Sequence, residues 1–297
     1  MGQAPGVDTA APPAGTEPPP VRLYWWREIA LVLGFYAVYT SIRNQFGSAI
    51  VEPETAYDNA EIVINIEQAL GTFHEQTVQG WFAGWDWFLW FWNVFYGTFH
   101  FGVTIFALVW LYRRFPERYP RWRNTFAITT GVALVGFALF PLMPPRLLAE
   151  GAPYGAAALG GGRYAFVDTL ADFGGLWSFD SGTMQELSNQ YAAMPSLHFG
   201  WATFCAVAVV PTLTSRWARG ALILYPVATL FAIVVTGNHY WIDALGGLVA
   251  LGIGYVLGTR SADWWRRRQH RRLLPAPRSA DPTPVGGPGT REVDPIG

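Results

Sequence analysis

The feature that most constrains this chain is a series of long segments without charge. From Trp87 to Tyr112 there is no Asp, Glu, Arg or Lys. Asn124 to Pro145, Leu187 to Ser215 and Gly220 to Asn238 are likewise uncharged. Tyr240 to Thr259 carries only Asp243, and a shorter apolar run, IALVLGFYAVYTSI, lies between Trp25 and Ile50. About 20 apolar residues cross the hydrocarbon core of a bilayer. In lipid the backbone must satisfy its own hydrogen bonds, which favours helices for runs of this kind. The predicted fold class is therefore all-α, a polytopic membrane protein with six transmembrane helices. The fourth is expected to start near Ser196. Composition agrees: 51% of residues are hydrophobic and 14% charged, against about 25% charged in soluble domains. The 15 Trp, 13 Tyr and 20 Phe suit aromatic belts at two membrane interfaces.

Charge placement orients the spans. RRFPERYPRWR follows the second span, SRWARG the fourth, and RRRQHRR ends the sixth. With Arg22 and Arg27 these fall on one side, which the positive-inside rule assigns to the cytoplasm. Both termini are then expected in the cytoplasm of a multi-pass cell-membrane protein. The segment from about residue 52 to 86 carries Glu52, Glu54, Asp58, Glu61, Glu67, Glu75 and Asp86 and no Arg, as an external face would. Within it Ile62, Ile66, Ala69 and Phe73 recur at helical spacing, predicting an amphipathic helix along the membrane surface. A second external connection, about 142 to 195, is Gly-rich. Residues 1–20 and 273–297 read as disordered tails around a membrane domain over 21–272. The first fifteen residues lack the basic-then-apolar order of a secretory signal, so insertion is expected from internal spans.

Several chemistries are excluded. All 20 basic residues are Arg, which removes Schiff-base and Walker-type lysine mechanisms. The single Cys205 makes neither an internal disulfide nor a cysteine metal cluster.

Three blocks then meet at the external ends of the last four spans. They are Pro144-Pro145-Arg146, then Met194-Pro195-Ser196-Leu197-His198, then Gly237-Asn238-His239-Tyr240-Trp241-Ile242-Asp243. Each alone is weak: His-x-x-x-Asp arises by chance, and Pro-Pro-Arg commonly stops a helix. Their shared sidedness is what carries weight. An Arg offers phosphate a bidentate fork. A helix starting at Pro195-Ser196, with Ser196 as cap, offers free amides and a positive dipole end. His239 and Asp243 are four apart, so the carboxylate can orient the imidazole as a nucleophile. His198 can protonate a leaving oxygen. The expected catalytic set is His239, His198 and Asp243, with Arg146, Ser196, Pro195 and Leu197 at the substrate.

These blocks resemble the signature of the type-2 phosphatidic acid phosphatase superfamily, whose helical core is shared with vanadium haloperoxidases. The resemblance covers roughly Asn93 to Leu257. The usual signature is Lys-x6-Arg-Pro, Pro-Ser-Gly-His and Ser-Arg-x5-His-x3-Asp. Arg146 takes the first Arg; Pro195, Ser196 and His198 take the second block; His239 and Asp243 take the third. The resemblance implies that His239 forms a phosphohistidine, that His198 is the general acid, that Asp243 orients His239, and that neither metal nor other cofactor is needed. Departures are Leu139 for the first-block Lys, Leu147 for Pro, Leu197 for Gly, and Ala232 and Ile233 for Ser-Arg. PSLH, HYxxD and PPR, with Tyr96-x3-His100 and RRFP, look like the inositol phosphorylceramide synthase-like branch. That branch implies transfer of a lipid-linked phosphate, including phosphoinositol head-group transfer between lipids, with lipid phosphates and membrane lipids as partners and no nucleic acid. A phosphatase using water as acceptor is the alternative.

His100 sits in mid-span, where an ionisable residue is a functional candidate or, in the plainer reading, a histidine bonded between helices through Tyr96, one turn earlier. It joins Tyr96 on the substrate side of the expected site. His74 reads as interfacial and His270 as solvated. A proton-coupled transporter, suggested by His100, His198 and Asp243, is the alternative of another class. Phosphate release in liposomes separates the two. The oligomeric state is not fixed.

Overall fold

The computed structural model describes residues 23–46, 51–150, 152, 155–159, 163–175 and 190–273. Apart from Leu273, the predicted tails lie outside the described residues, as does Leu187, where the fourth charge-free run begins; the helix itself starts at Leu197 after Ser196, where the fourth span was expected to start. Among the described residues the fold is all helical, with one parallel bridge between Leu142 and Ala192. In chain order the helices are α1 (Trp25–Phe46), α2 (Pro53–Leu70), α3 (Glu75–Gly80), α4 (Asp86–Arg114), α5 (Tyr119–Leu139), α6 (Thr169–Phe173), α7 (Leu197–Val209), α8 (Arg216–Val235) and α9 (Trp241–Leu273).

Among the described residues three helices are long and apolar enough to cross a membrane: α4, α8 and Trp241–Arg268 of α9. The run Leu197–Thr212, α7 with its following turn, is apolar but shorter. These helices make the chain a membrane protein. α1 and α5 reach span length at 22 and 21 residues but are less uniformly apolar. α5 also starts and ends earlier than the expected third span, because Pro120 suits its first turn and FPLMPP stops it.

Local chemistry sets the helix ends that matter. Ser196 caps α7, its Oγ accepting from the Phe199 amide at 3.4 Å, and Ser215 caps α8 in the same way at 3.4 Å. α8 ends at Gly237, whose φ of 66° is the left-handed conformation that lets the chain turn back into α9.

α5 packs closely along α9, and α7 is wedged among α4, α8 and α9. Gly254 and Gly258 on α9 allow the first contact. A Cβ at Gly258 would lie 2.5 Å from the Thr125 amide nitrogen, so only glycine lets these backbones meet. Phe95, Trp122, Phe204, Cys205 and Tyr225 fill the interior of the bundle. A second core, outside the bundle, gathers Ala56, Ala60, Val63 and Ile64 of α2 with Leu142, Leu147, Leu148, Phe166 and Tyr240.

The outer surface is apolar along the helices. Ile105, Phe106, Leu224, Val227, Val249 and Val256 are all exposed. Exposed Trp residues mark both ends: Trp25, Trp26, Trp217, Trp264 and Trp265 at one, Trp81, Trp85 and Trp87 at the other. Arg27, Arg216 and Arg268 lie over Trp26, Trp217 and Trp264 at the first end, as interfacial anchors do. Of the stripe expected in the 52–86 segment, Ile62, Ile66 and Ala69 are exposed on α2, whereas Phe73 lies past the helix end and packs inward against Tyr164 and Phe166. α2 also has a second, buried face, which docks it on the site below.

Candidate active site

The three sequence blocks come together through backbone hydrogen bonds. Leu142 N donates to Tyr191 O at 2.8 Å, Arg146 N to Gly237 O at 2.7 Å, and Ser196 N to Asp243 O at 2.9 Å. The Tyr240 hydroxyl donates to Met143 O at 3.0 Å. The ends of α5 and α8 and the starts of α7 and α9 therefore form one rigid junction at the end of the bundle opposite the Arg-rich loops.

His239 sits in the turn before α9 and is 3% exposed. Its Nδ1 lies 2.8 Å from Ala193 O and 3.2 Å from Asp243 Oδ2. A carbonyl oxygen only accepts, which assigns the ring proton to Nδ1 and the lone pair to Nε2. Nε2 is buried and has no partner among the described residues. Asp243, fully buried, also accepts from Tyr240 N through Oδ2 at 2.9 Å. It thus caps α9 and faces His239 with the same oxygen.

His198, in the first turn of α7, faces His239 with ring centroids 5.6 Å apart. Tyr96 stacks on it at 4.0 Å, and His100 meets it at 4.2 Å. His100 Nδ1 donates to Tyr96 O, one turn earlier on its own helix, at 2.8 Å. This is a bond within α4 rather than between helices. Phe95, Tyr96, His100, His198, Tyr225, Thr229 and Ala232 line a small cavity beneath the site. Pro195 precedes the cap and packs against α5 and α9 at Gly136 and Gly246. Leu197 is the first residue of α7.

Arg146 lies beside Asn238 but is not idle. Nε donates to Asn238 Oδ1 at 3.1 Å, Nη1 to Asp168 Oδ2 at 3.0 Å, and Nη2 to Gln190 Oε1 at 2.6 Å. The Arg146–Asp168 pair is largely buried. Asp168 belongs to a strap over the junction, fixed by side chains from α3 and α4 as well as by Arg146. Gln79 pairs with both backbone groups of Val167 at 2.8 and 3.0 Å. Asn93 donates to Thr169 O at 2.7 Å and Gly174 O at 2.9 Å.

Sequence reasoning missed Asp168 and Gln190, which lie in the long connection without a telling spacing. It also missed Glu67 and Glu75, which are 1% and 0% exposed. For Glu67 a signal existed: Ala56, Ala60, Val63, Ile64 and Glu67 share one helical face, which places a carboxylate in an apolar stripe. His74 is exposed at the start of α3. The side chain of His270 lies outside the described residues. Among the described residues no group of three or more His, Cys, Asp or Glu is placed to hold a metal ion.

A family model described as PAP2 superfamily matches residues 61–257. No curated protein and no solved structure matches the chain.

Proposed function

We propose, from the premise that the chain belongs to the PAP2 superfamily, that it transfers a lipid-linked phosphate ester through a phosphohistidine on His239. The superfamily makes it a phosphatase- or phosphotransferase-type membrane enzyme. The observation that carries the finer reading is the His239 imidazole, with Nδ1–H committed to Ala193 and Asp243 and a buried, unpartnered Nε2.

The Nε2 lone pair attacks phosphorus as the bond to the leaving oxygen breaks. His198 gives its proton to that oxygen, the approaching anionic substrate having favoured the imidazolium. Asp243 offsets the positive charge on the phosphorylated ring. The acceptor hydroxyl then loses its proton to His198 and attacks the same phosphorus, freeing His239. The first-turn amides of α7 at Leu197 and His198 face the phosphate oxygens, with Ser196 and Pro195 fixing that turn. Tyr96 and His100 brace His198 from below.

In the same reading six helices cross the cell membrane: α1, α4, α5, α7 with its turn, α8 and α9. The Arg-rich loops and both termini are cytoplasmic, and the site is extracytoplasmic. A helical core shared with vanadium haloperoxidases rests on the three motif blocks. With Leu139 and Ile233 where cations are usual, and Arg146 already bound to Asp168, a singly charged diester fits the site better than a dianionic monoester. Phosphoinositol head-group transfer between lipids is therefore favoured over hydrolysis.

The test is a lipid-phosphate panel on purified protein, with labelled donor, read by acid-labile phosphoenzyme and by mass spectrometry with and without an inositol or lipid acceptor. Label on the wild type, none on His239→Ala, and product only with an organic acceptor are expected. Full turnover by His239→Ala would end the reading. Free phosphate without an organic acceptor selects the phosphatase.

A further inference from the structure

α9 begins with three consecutive backbone amides, and a carboxyl group takes each one. Tyr240 N donates to Asp243 Oδ2 at 2.9 Å, Trp241 N to Glu75 Oε1 at 3.1 Å, and Ile242 N to Glu67 Oε1 at 2.8 Å. Glu67 comes from α2 and Glu75 from α3. Each uses Oε1 on an amide, and each Oε2 is buried without another donor among the described residues. Because they take neighbouring amides, the two buried carboxyl groups lie side by side, and Glu75 acts directly on Glu67. Two buried carboxylates in contact repel, whereas one shared proton turns that contact into an O–H···O bond.

We propose that Glu67 and Glu75 are a proton-sharing carboxyl pair that positions the turn carrying His239 and Asp243, making the external α2–α3 segment part of the transferase. The proposal rests on the function proposed above. It concerns positioning residues, since neither carboxyl reaches the reacting atoms. The turn Gly237–Asp243 hangs between the Gly237 contact to Arg146 and the α9 start. At the second anchor, side chains from two other helices take two of the three amides, and Asp243 takes the third.

The surroundings explain where the proton resides. Acting on Glu67 are Glu75 of α3, Asp243 at the start of α9 and the Ile242 amide. Tyr240, which interacts with Glu67, Glu75 and Asp243, and Tyr164 on the strap, which interacts with Tyr240, complete the ionisable groups here. Glu61, on the same helix as Glu67, is paired with Arg163 instead. No ion pair among the described residues includes Glu67 or Glu75. Burial first, then the contact with Glu75, raises Glu67 from 4.5 to about 9. The sign follows. The folded state holds a proton that the unfolded chain releases near 4.5. Stability from this pair is fully present below that pH, declines as pH rises towards about 9, and does not change further above it.

The experiment compares the full-length wild type, Glu67→Gln and Glu67→Ala in detergent. Glu67→Gln keeps the acceptor for Ile242 N and replaces the shared proton with a permanent N–H to Glu75. Readouts are thermal unfolding against pH, hydrogen exchange of the 237–243 peptide, and the pH profile of kcat. The wild type should lose thermal stability and kcat towards pH ~9. Glu67→Gln should lack the alkaline unfolding limb while keeping kcat at pH 7 within about threefold. Glu67→Ala should exchange the 237–243 peptide faster and lose about tenfold or more in kcat with KM little changed. An alkaline unfolding limb that persists in Glu67→Gln overturns the proposal, as does equal exchange in all three proteins. Those two readouts need no substrate. Absence of any phosphate-ester turnover in the wild type would sink the function and leave the carboxyl pair to be judged by unfolding and exchange.

Discussion

Replacing Asp243 by Asn separates two tasks that one oxygen performs. In the wild type Oδ2 caps α9 through Tyr240 N and faces His239 Nδ1. Asn keeps an acceptor for the cap but loses the charge. The imidazole keeps its tautomer, because Ala193 O, at 2.8 Å, is the nearer acceptor for Nδ1–H. What is lost is the attraction between the carboxylate and the charge that develops on the phosphorylated ring. With charge centres about 4 Å apart and an effective dielectric of about 20, that attraction is ~4 kcal/mol. A charge-assisted hydrogen bond alone gives the lower bound, ~1.5 kcal/mol. The expected fall in kcat is therefore about 10- to 1000-fold, read from steady-state transfer of a labelled lipid phosphate. Thermal unfolding should barely move. Asp243→Ala should show a similar fall and, in addition, lose ~1 kcal/mol of stability with the helix cap. An Asp243→Asn protein within twofold of wild-type kcat would refute the assignment of Asp243 as the partner of a charged His239.

The other expectations concern the supports of the site. Asp168→Ala leaves the Arg146 guanidinium buried without its counter-ion, and should cost about 3 kcal/mol in denaturant unfolding; Asp168→Asn should cost less. At Gly237, with φ 66°, a Cβ would meet the Gln79 side-chain amide at 2.9 Å, so Gly237→Ala should lower stability by ~1–2 kcal/mol and shift the melting temperature accordingly. Turnover should be unchanged in excess chelator, measured on the same lipid panel; its loss, with recovery on adding back a divalent ion, would refute metal-independent transfer.

What was legible in the sequence was what depends on the bilayer. Charge-free length locates α4, α8 and α9, and the Arg-rich loops place three distant blocks at one end. The pairing of His239 with Asp243 followed from helical spacing, although Asp243 proves to be in the first turn of α9 and His239 just before it. What the sequence hid depends on a second solvent boundary. The 51–86 segment reads as acidic and without Arg; Glu67 is betrayed only by its place on the Ala56–Ile64 face, and nothing local says that Glu75 turns inward while Glu61 pairs outward. Their burial is decided by the α9 amides they cap, some 170 residues away along the chain. Arg146 was hidden in the same way. An Arg after two prolines advertises a cation, but its occupancy depends on Asp168 and Gln190 in a connection without periodicity.

That occupancy bears on what the site can bind. Around His239, among the described residues, the junction gathers Asp243, the Glu67–Glu75 pair and Asp168, against one guanidinium whose three nitrogens already have partners. A phosphate dianion brought there would face uncompensated carboxylates in a medium where charges are weakly screened. Two features moderate this. The shared proton removes one charge from the Glu pair, and Asp243 is engaged by His239 and an amide. The remaining positive potential comes from the start of α7 and from His198 when protonated. Together these suit an anion of low charge. The proton on the carboxyl pair makes the junction less negative, and it is lost as the medium becomes alkaline. A site of this composition should discriminate against dianionic substrates most strongly at the pH where the Glu67 proton leaves, whichever acceptor completes the transfer.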